Sequence, residues 1–173
     1  MSSPCPVSEG PPPDLAHGRE ARDNNRRWTV FSKLGLARAS DDETGFSEGG
    51  GAKAYTTAET LLREKLTLDA QYIGGYTVEC SLKALILERT PDADKPDKLK
   101  RITSGASMHR PEVLLGELRT LGVSLPLDLA KRMRRFDWTT DLRYETGRRD
   151  TGETIALLSM AKAIYDWAQG QLP

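Results

Sequence analysis

The sequence predicts an all-α fold, a bundle of about five helices that follows a flexible N-terminal tail. From residue 56 onward, apolar residues recur at the spacings of three and four that place them on one face of a helix. No segment of useful length alternates apolar and polar residues as a half-buried strand does. We therefore expect residues 56–173 to form one helical domain and residues 1–55 to be disordered or loosely docked.

The predicted tail is rich in residues that do not build a core. It contains a run of three prolines, a densely charged stretch over residues 19–27 and three consecutive glycines. Such a composition buries too little apolar surface to offset the entropy lost on ordering. Within it, Trp28, Phe31 and Leu34 have helical spacing, which favours a short helix that docks on the domain or on a partner.

The net charge of the chain gives little information about its binding partners. Lysine plus arginine equals aspartate plus glutamate at 25 each, so net charge does not indicate a nucleic acid or a membrane as a partner. No stretch reaches the roughly 18 apolar residues of a membrane-spanning helix, and the N-terminus lacks the apolar segment of a signal peptide. We expect a cytoplasmic protein without membrane association.

The most informative segment runs from Leu68 to Thr90. Its apolar residues occupy nearly every angular position around a helix, which is typical of a helix buried at the centre of a bundle. Thr67 is placed to cap it. Gly74 and Gly75 lower the helix propensity of this segment, so we expect a neighbouring backbone to approach closely there.

The other helices are predicted from their caps and apolar stripes. The first begins at Thr56, which matches a capping box with Glu59. Residues 91–108 are polar and are predicted to be a linker. The remaining helices are predicted to begin at Pro111, at Pro126 and at Asp150, the last one capped by Asp150 and Glu153.

Glu79 and Lys83 interrupt the apolar central helix. They are four residues apart and so lie on one face. They could form an ordinary surface ion pair, which would contribute only a few tenths of a kcal/mol. Because the flanking residues are apolar on all sides, we favour a charged pair that lines a pocket or a dimer interface.

Arg143 and Tyr144 follow the predicted fourth helix and could form a lid or stack on a ligand. A basic run, Lys131 to Arg135, precedes them, and Arg148 and Arg149 follow. Together these cations could attract phosphate groups. A solvated helix face would explain the basic run equally well.

The residues that most often bind metals are sparse. Cys5 and Cys80 are far apart, and so are His17 and His109. No set of histidine, cysteine and carboxylate residues has metal-ligand spacing, and no phosphate-binding glycine loop is present. We therefore predict no metal and no cofactor.

The helical part of the sequence resembles a HEPN domain, a family named for nucleotide binding in higher eukaryotes and prokaryotes. The resemblance covers roughly residues 56–172. It rests on the segment AETLLREKLTLDAQYIGGYTVECSLKALILER, His109, the Leu125-Pro126 turn and the LRY sequence that ends at Tyr144. The string GY-x-VE-x-x-LKALI is its most specific part.

The resemblance implies a helical bundle that forms a homodimer. Many HEPN domains are metal-independent endoribonucleases, and many are encoded beside a nucleotidyltransferase-like protein as a toxin–antitoxin pair. The ribonucleases carry an arginine and a later histidine that are separated by four to six intervening residues. Arg143 matches the arginine, but the candidate histidine positions hold Arg148, Arg149 and Asp150.

With no histidine at these positions, two alternative functions are open. Arginine cannot replace histidine as an acid or base, since it stays protonated. We therefore favour a non-catalytic module that binds a nucleotide, RNA or a protein partner, with its site lined by Glu79, Lys83, Arg143 and Tyr144. The alternative is a metal-independent endoribonuclease in which Arg143 acts with a displaced histidine such as His109.

Overall fold

The structure is a computed structural model that describes residues 48–172. This range contains α-helices and short 3-10 helices and no strand, which confirms the all-α prediction. Residues 1–47 of the predicted tail, with the short helix predicted around Phe31, lie outside the described residues, whereas residues 48–55 of that tail belong to a helix. The α-helices are α1 (Glu48–Arg63), α2 (Thr67–Glu88), α3 (Lys95–Thr103), α4 (Pro111–Thr120), α5 (Leu127–Met133) and α6 (Thr151–Gln169).

Helix α2 lies at the centre of the bundle, as predicted. Most of its 22 residues are buried, and it packs against α1, α4 and α6. The main apolar core forms between α2, α4 and α6, and Ile102 of α3 and Leu129 of α5 also belong to it. No helix in the described part of the chain is long and apolar enough to cross a membrane.

The two glycines of α2 permit close packing. A β-carbon on Gly75 would lie 2.0 Å from Nε1 of Trp138, and one on Gly74 would lie 3.0 Å from Cδ2 of Leu157. The predicted close approach is confirmed, but the approaching groups are side chains rather than a backbone. Trp138 is buried, and its indole N–H donates a hydrogen bond to the Tyr72 carbonyl at 3.0 Å.

Two predicted helix caps are wrong. Helix α1 begins at Glu48, and Thr56 lies inside it, where its hydroxyl bonds the Ala52 carbonyl one turn earlier. Helix α2 has Leu66 at its N-cap. The Thr67 hydroxyl instead donates to the Arg149 carbonyl at 2.8 Å and accepts from the Arg149 N–H at 2.9 Å, which joins α2 to the segment before α6.

The segment predicted as a linker contains helix α3, so that prediction is also wrong. Its buried residue Ile102 packs into the core, and its polar face reaches α4. Lys98 and Arg101 both form ion pairs with Glu117 of α4. Burial alone would raise the pKa of Glu117, but hydrogen bonds from Arg101 and Lys98 hold it below its ordinary value.

The later helices follow the prediction. Pro111 is the first residue of α4, Pro126 is the N-cap of α5, and the Asp150 carboxylate accepts a 2.9 Å hydrogen bond from the Glu153 N–H at the start of α6. A 3-10 helix, Thr140–Tyr144, connects α5 to the segment that leads into α6. It packs on α2 and positions Arg143 and Tyr144.

We expect replacement of Asp150 by alanine to lower the free energy of unfolding by about 1 kcal/mol, because α6 loses the acceptor for its first-turn N–H. Thr56→Ala is the matched control, since Thr56 lies within α1 and caps nothing. Chemical denaturation of both variants measures the difference. An equal effect of the two substitutions would contradict the assigned cap.

Candidate functional site

A polar stripe runs along α2 and consists of Tyr72, Tyr76, Glu79 and Lys83. At 3.6 residues per turn these four positions lie within an arc of about 60°. The stripe collects side chains from two distant parts of the chain. His109 contacts it at Glu79, and Arg143 lies near it at Tyr72.

Glu79 and Lys83 are both buried, at 1% relative exposure each, so the alternative of a surface ion pair is wrong. The Lys83 Nζ donates to Glu79 Oε1 at 2.8 Å. His109 Nδ1 lies 2.9 Å from the same oxygen, and the His109 side chain is 40% exposed. Glu79 therefore connects a buried cation to a histidine that reaches solvent.

The second carboxylate oxygen of Glu79 is also buried. In the part of the chain that the structure describes, Oε2 has no hydrogen-bond partner. Buried polar atoms usually have a hydrogen-bond partner, so this oxygen is an exception within the polar stripe.

Arg143 and Tyr144 are both exposed, Tyr144 at 73%. The Arg143 guanidinium carbon lies 4.6 Å from the centre of the Tyr144 ring, within cation–π range. Burial raises the pKa of Tyr72, the nearby Arg143 guanidinium opposes that rise, and the Glu79 carboxylate reinforces it. The pKa of the Tyr72 hydroxyl thus responds to both Arg143 and Glu79.

Tyr76 and Cys80 occupy the middle of the same helix. Burial raises the pKa of the Cys80 thiol to about 12, and a hydrogen bond with Tyr76 opposes this rise. Burial and the Cys80 thiol also raise the pKa of Tyr76 above its ordinary value. Both groups stay protonated near neutral pH, so Cys80 is a buried structural thiol and not a nucleophile.

Two of the three positions where the ribonuclease histidine would fall have structural roles here. Asp150 caps α6. The Arg149 main chain bonds Thr67, and its guanidinium pairs with Glu145. Arg148 is exposed. In this fold the segment after Arg143 therefore anchors α2 and α6.

Most of the predicted site residues are brought to one region. Glu79, Lys83 and His109 form one contact group, and Arg143 with Tyr144 adjoins the other end of the polar stripe. The basic run on α5 lies elsewhere, at a cavity between α5 and α6. His17 lies outside the described residues. Tyr72 and Tyr76 were not predicted, although they lie seven and three residues before Glu79, spacings that place all three on one helix face.

Within residues 48–172, no group of three or more histidine, cysteine, aspartate or glutamate residues could hold a metal ion. Comparison with protein-family models, curated proteins and solved structures finds no match to this chain.

Proposed function

We propose that this chain is a HEPN-like module that binds single-stranded RNA through Arg143 and Tyr144 at the end of the polar stripe. The observation that carries the proposal is the exposed Arg143–Tyr144 pair, which presents a cation and an aromatic face together. Proteins that bind single strands combine phosphate-binding cations with aromatic rings on which bases stack. The Thr140–Tyr144 helix that carries the pair packs on α2, which supports the proposal by fixing the backbone on which both side chains stand.

The geometry favours binding over catalysis. The positions that would supply a histidine next to Arg143 are used to pair with Glu145 and to cap α6. A general acid or base must lie within hydrogen-bond reach of the proton that it transfers. Arg143 alone supplies charge but no proton transfer near neutral pH.

The experiment is a salt titration of RNA binding. Fluorescence anisotropy with a labelled single-stranded oligonucleotide should show lower affinity for Arg143→Ala than for wild type. The slope of log affinity against log salt should flatten by about one unit, as expected for one lost phosphate contact. Arg119→Ala is the control, because Arg119 is exposed on α4, away from this pair. Equal effects of the two variants would remove Arg143 from the site.

A second function, metal-independent endoribonuclease, is supported by the contact between His109 and Glu79. A carboxylate on Nδ1 orients an imidazole and leaves its other nitrogen to exchange protons with a substrate. Wild type, His109→Ala and Arg143→Ala would be incubated with mixed RNA and a chelator. We expect no cleavage. Cleavage by wild type that both folded variants lack would establish the enzyme and place His109 in its site.

The resemblance further suggests a homodimer and a nucleotidyltransferase-like partner in a toxin–antitoxin or defence system. Buried charge on α2 was one reason to expect a dimer. The structure weakens that reason, because Glu79 and Lys83 are already paired and buried within one chain. Light scattering at micromolar concentration should give twice the chain mass, whereas a monomer would restrict the site to one chain.

A further inference from the structure

A second region of the domain has the properties of a ligand site and does not depend on the proposed RNA site. A half-open cavity of about 830 Å³ lies between α5 and the first half of α6. Pockets for small ligands typically measure roughly 300 to 1,000 Å³, so this cavity has the right size. The Thr140–Tyr144 helix contributes Leu142 to its lining, while Arg143 and Tyr144 are not part of it.

One wall of the cavity is cationic. Lys131, Arg132 and Arg135 line it from α5 and the turn that follows. Among the residues that the structure describes, none of these three forms an ion pair with a carboxylate. These three side chains are therefore not held in a direct ion pair within that part of the chain, although carboxylates line the same cavity.

The dipole of α5 explains part of this pattern but not all of it. Basic residues in the last turn of a helix are stabilised by its negative end. Arg149, from the segment before α6, also lines the cavity, where its guanidinium pairs with Glu145. Arg134, in the middle of the basic run, is absent from the lining, while Lys131, Arg132 and Arg135 are present and share one face at helical spacing.

The inner surface of the cavity is apolar. Phe136, Leu142, Leu157 and Met160 line it, and Leu142 and Met160 are buried. Gln71 of α2 also lines the cavity and is buried, with its side-chain N–H bonded to the Thr154 hydroxyl at 3.0 Å. An apolar lining with a few fixed polar groups is typical of small-molecule sites.

The remaining charges distinguish a small ligand from a polymer. Three carboxylates, those of Asp137, Glu145 and Glu153, line the cavity together with the cations, and Glu145 pairs with Arg149. A continuous chain of phosphates would be repelled by these carboxylates. A single phosphate at the basic wall would meet less of this repulsion, and Asp137 and Glu153 can accept hydrogen bonds from hydroxyl or amino groups of a ligand.

We propose that this cavity binds a small organic phosphate monoester whose flat or apolar body packs on the Phe136 side while Lys131, Arg132 and Arg135 hold the phosphate. Arginine is well suited to this role, because its guanidinium donates two parallel hydrogen bonds to a phosphate group. The proposal does not rest on RNA binding at Arg143.

Calorimetry with the full chain tests the proposal. The probes are adenosine monophosphate and naphthyl phosphate, which have both a phosphate and a flat body. Adenosine lacks the phosphate, and glycerol phosphate lacks the flat body. We expect at least one of the first two to bind, and to bind at least tenfold more tightly than adenosine or glycerol phosphate.

The variant Arg132→Ala/Arg135→Ala should weaken binding at least tenfold, because two charge-assisted contacts are lost. Arg134→Ala is the matched control from the same basic run, and it should leave the affinity unchanged. Far-UV circular dichroism verifies that the double alanine variant is folded. If it is not folded, Arg132→Lys/Arg135→Lys is measured in its place and should retain part of the affinity. Binding of neither monoester at millimolar concentration would overturn the proposal. Equal weakening by Arg134→Ala, or equal binding of glycerol phosphate, would also overturn it.

Discussion

Gly75→Ala is expected to lower the free energy of unfolding by about 2 to 4 kcal/mol. The added methyl group would lie 2.0 Å from Nε1 and 2.1 Å from Cδ1 of Trp138, so the ring must move. Trp138 is buried against Leu68 and Leu142, and its movement would break the hydrogen bond to the Tyr72 carbonyl. The cost exceeds the roughly 1 kcal/mol that alanine gains over glycine inside a helix.

Gly116→Ala provides the matched control. Gly116 lies inside α4, and a β-carbon there meets no atom within 4 Å. This substitution should raise the free energy of unfolding by about 0.5 to 1 kcal/mol. Chemical denaturation at one pH measures both variants. A stable Gly75→Ala protein would show that Trp138 does not pack on α2 as described.

Lys83→Met should have a comparable effect, about 3 to 5 kcal/mol, because it leaves the buried Glu79 carboxylate without its cation. Methionine is unbranched like lysine and only one heavy atom shorter, so little of the loss comes from a cavity. The substitution should also alter the environment of His109, which shares the same carboxylate oxygen. Chemical denaturation gives the loss of stability, and the His109 ring resonances in an NMR spectrum report the local change.

The double variant Glu79→Leu/Lys83→Met separates the charge from the packing. Replacing both members of a buried ion pair by apolar residues is often neutral or stabilising, so the double variant should regain most of the stability lost in Lys83→Met. A double variant as unstable as the single one would mean that Lys83 contributes mainly through other contacts.

The sequence predicted the centre of the fold well because apolar periodicity reports burial and prolines report helix starts. An apolar surface all round α2 required partners on all sides, and prolines at positions 111 and 126 marked helix starts correctly. The predicted caps at Thr56 and Thr67 were wrong because a threonine hydroxyl can bond groups other than a helix N-terminus. The Thr56 hydroxyl bonds a carbonyl one turn earlier, and the Thr67 hydroxyl bonds a segment that is distant in sequence. Helix α3 was missed because a single buried residue, Ile102, leaves almost no periodic signal.

The candidate site was only partly predictable. The four-residue spacing placed Glu79 and Lys83 on one face, but their pairing with His109 depends on how the segment before α4 packs against α2. The sequence offered the basic run as one group of cations. The structure divides it, with Lys131, Arg132 and Arg135 at the cavity and Arg134 outside the lining. Such divisions follow from tertiary packing, which local spacing does not encode.

Photochemical cross-linking tests the central claim, RNA binding at Arg143 and Tyr144, most directly. A single-stranded RNA that contains thiouridine would be irradiated with the full chain and the modified peptides mapped by mass spectrometry. We expect the modified site to be Tyr144 or a neighbouring residue of the Thr140–Tyr144 helix, because the Tyr144 ring is 73% exposed and lies beside the Arg143 guanidinium. Cross-links that remain undiminished in Arg143→Ala, or that fall only in the basic run of α5, would contradict the claim.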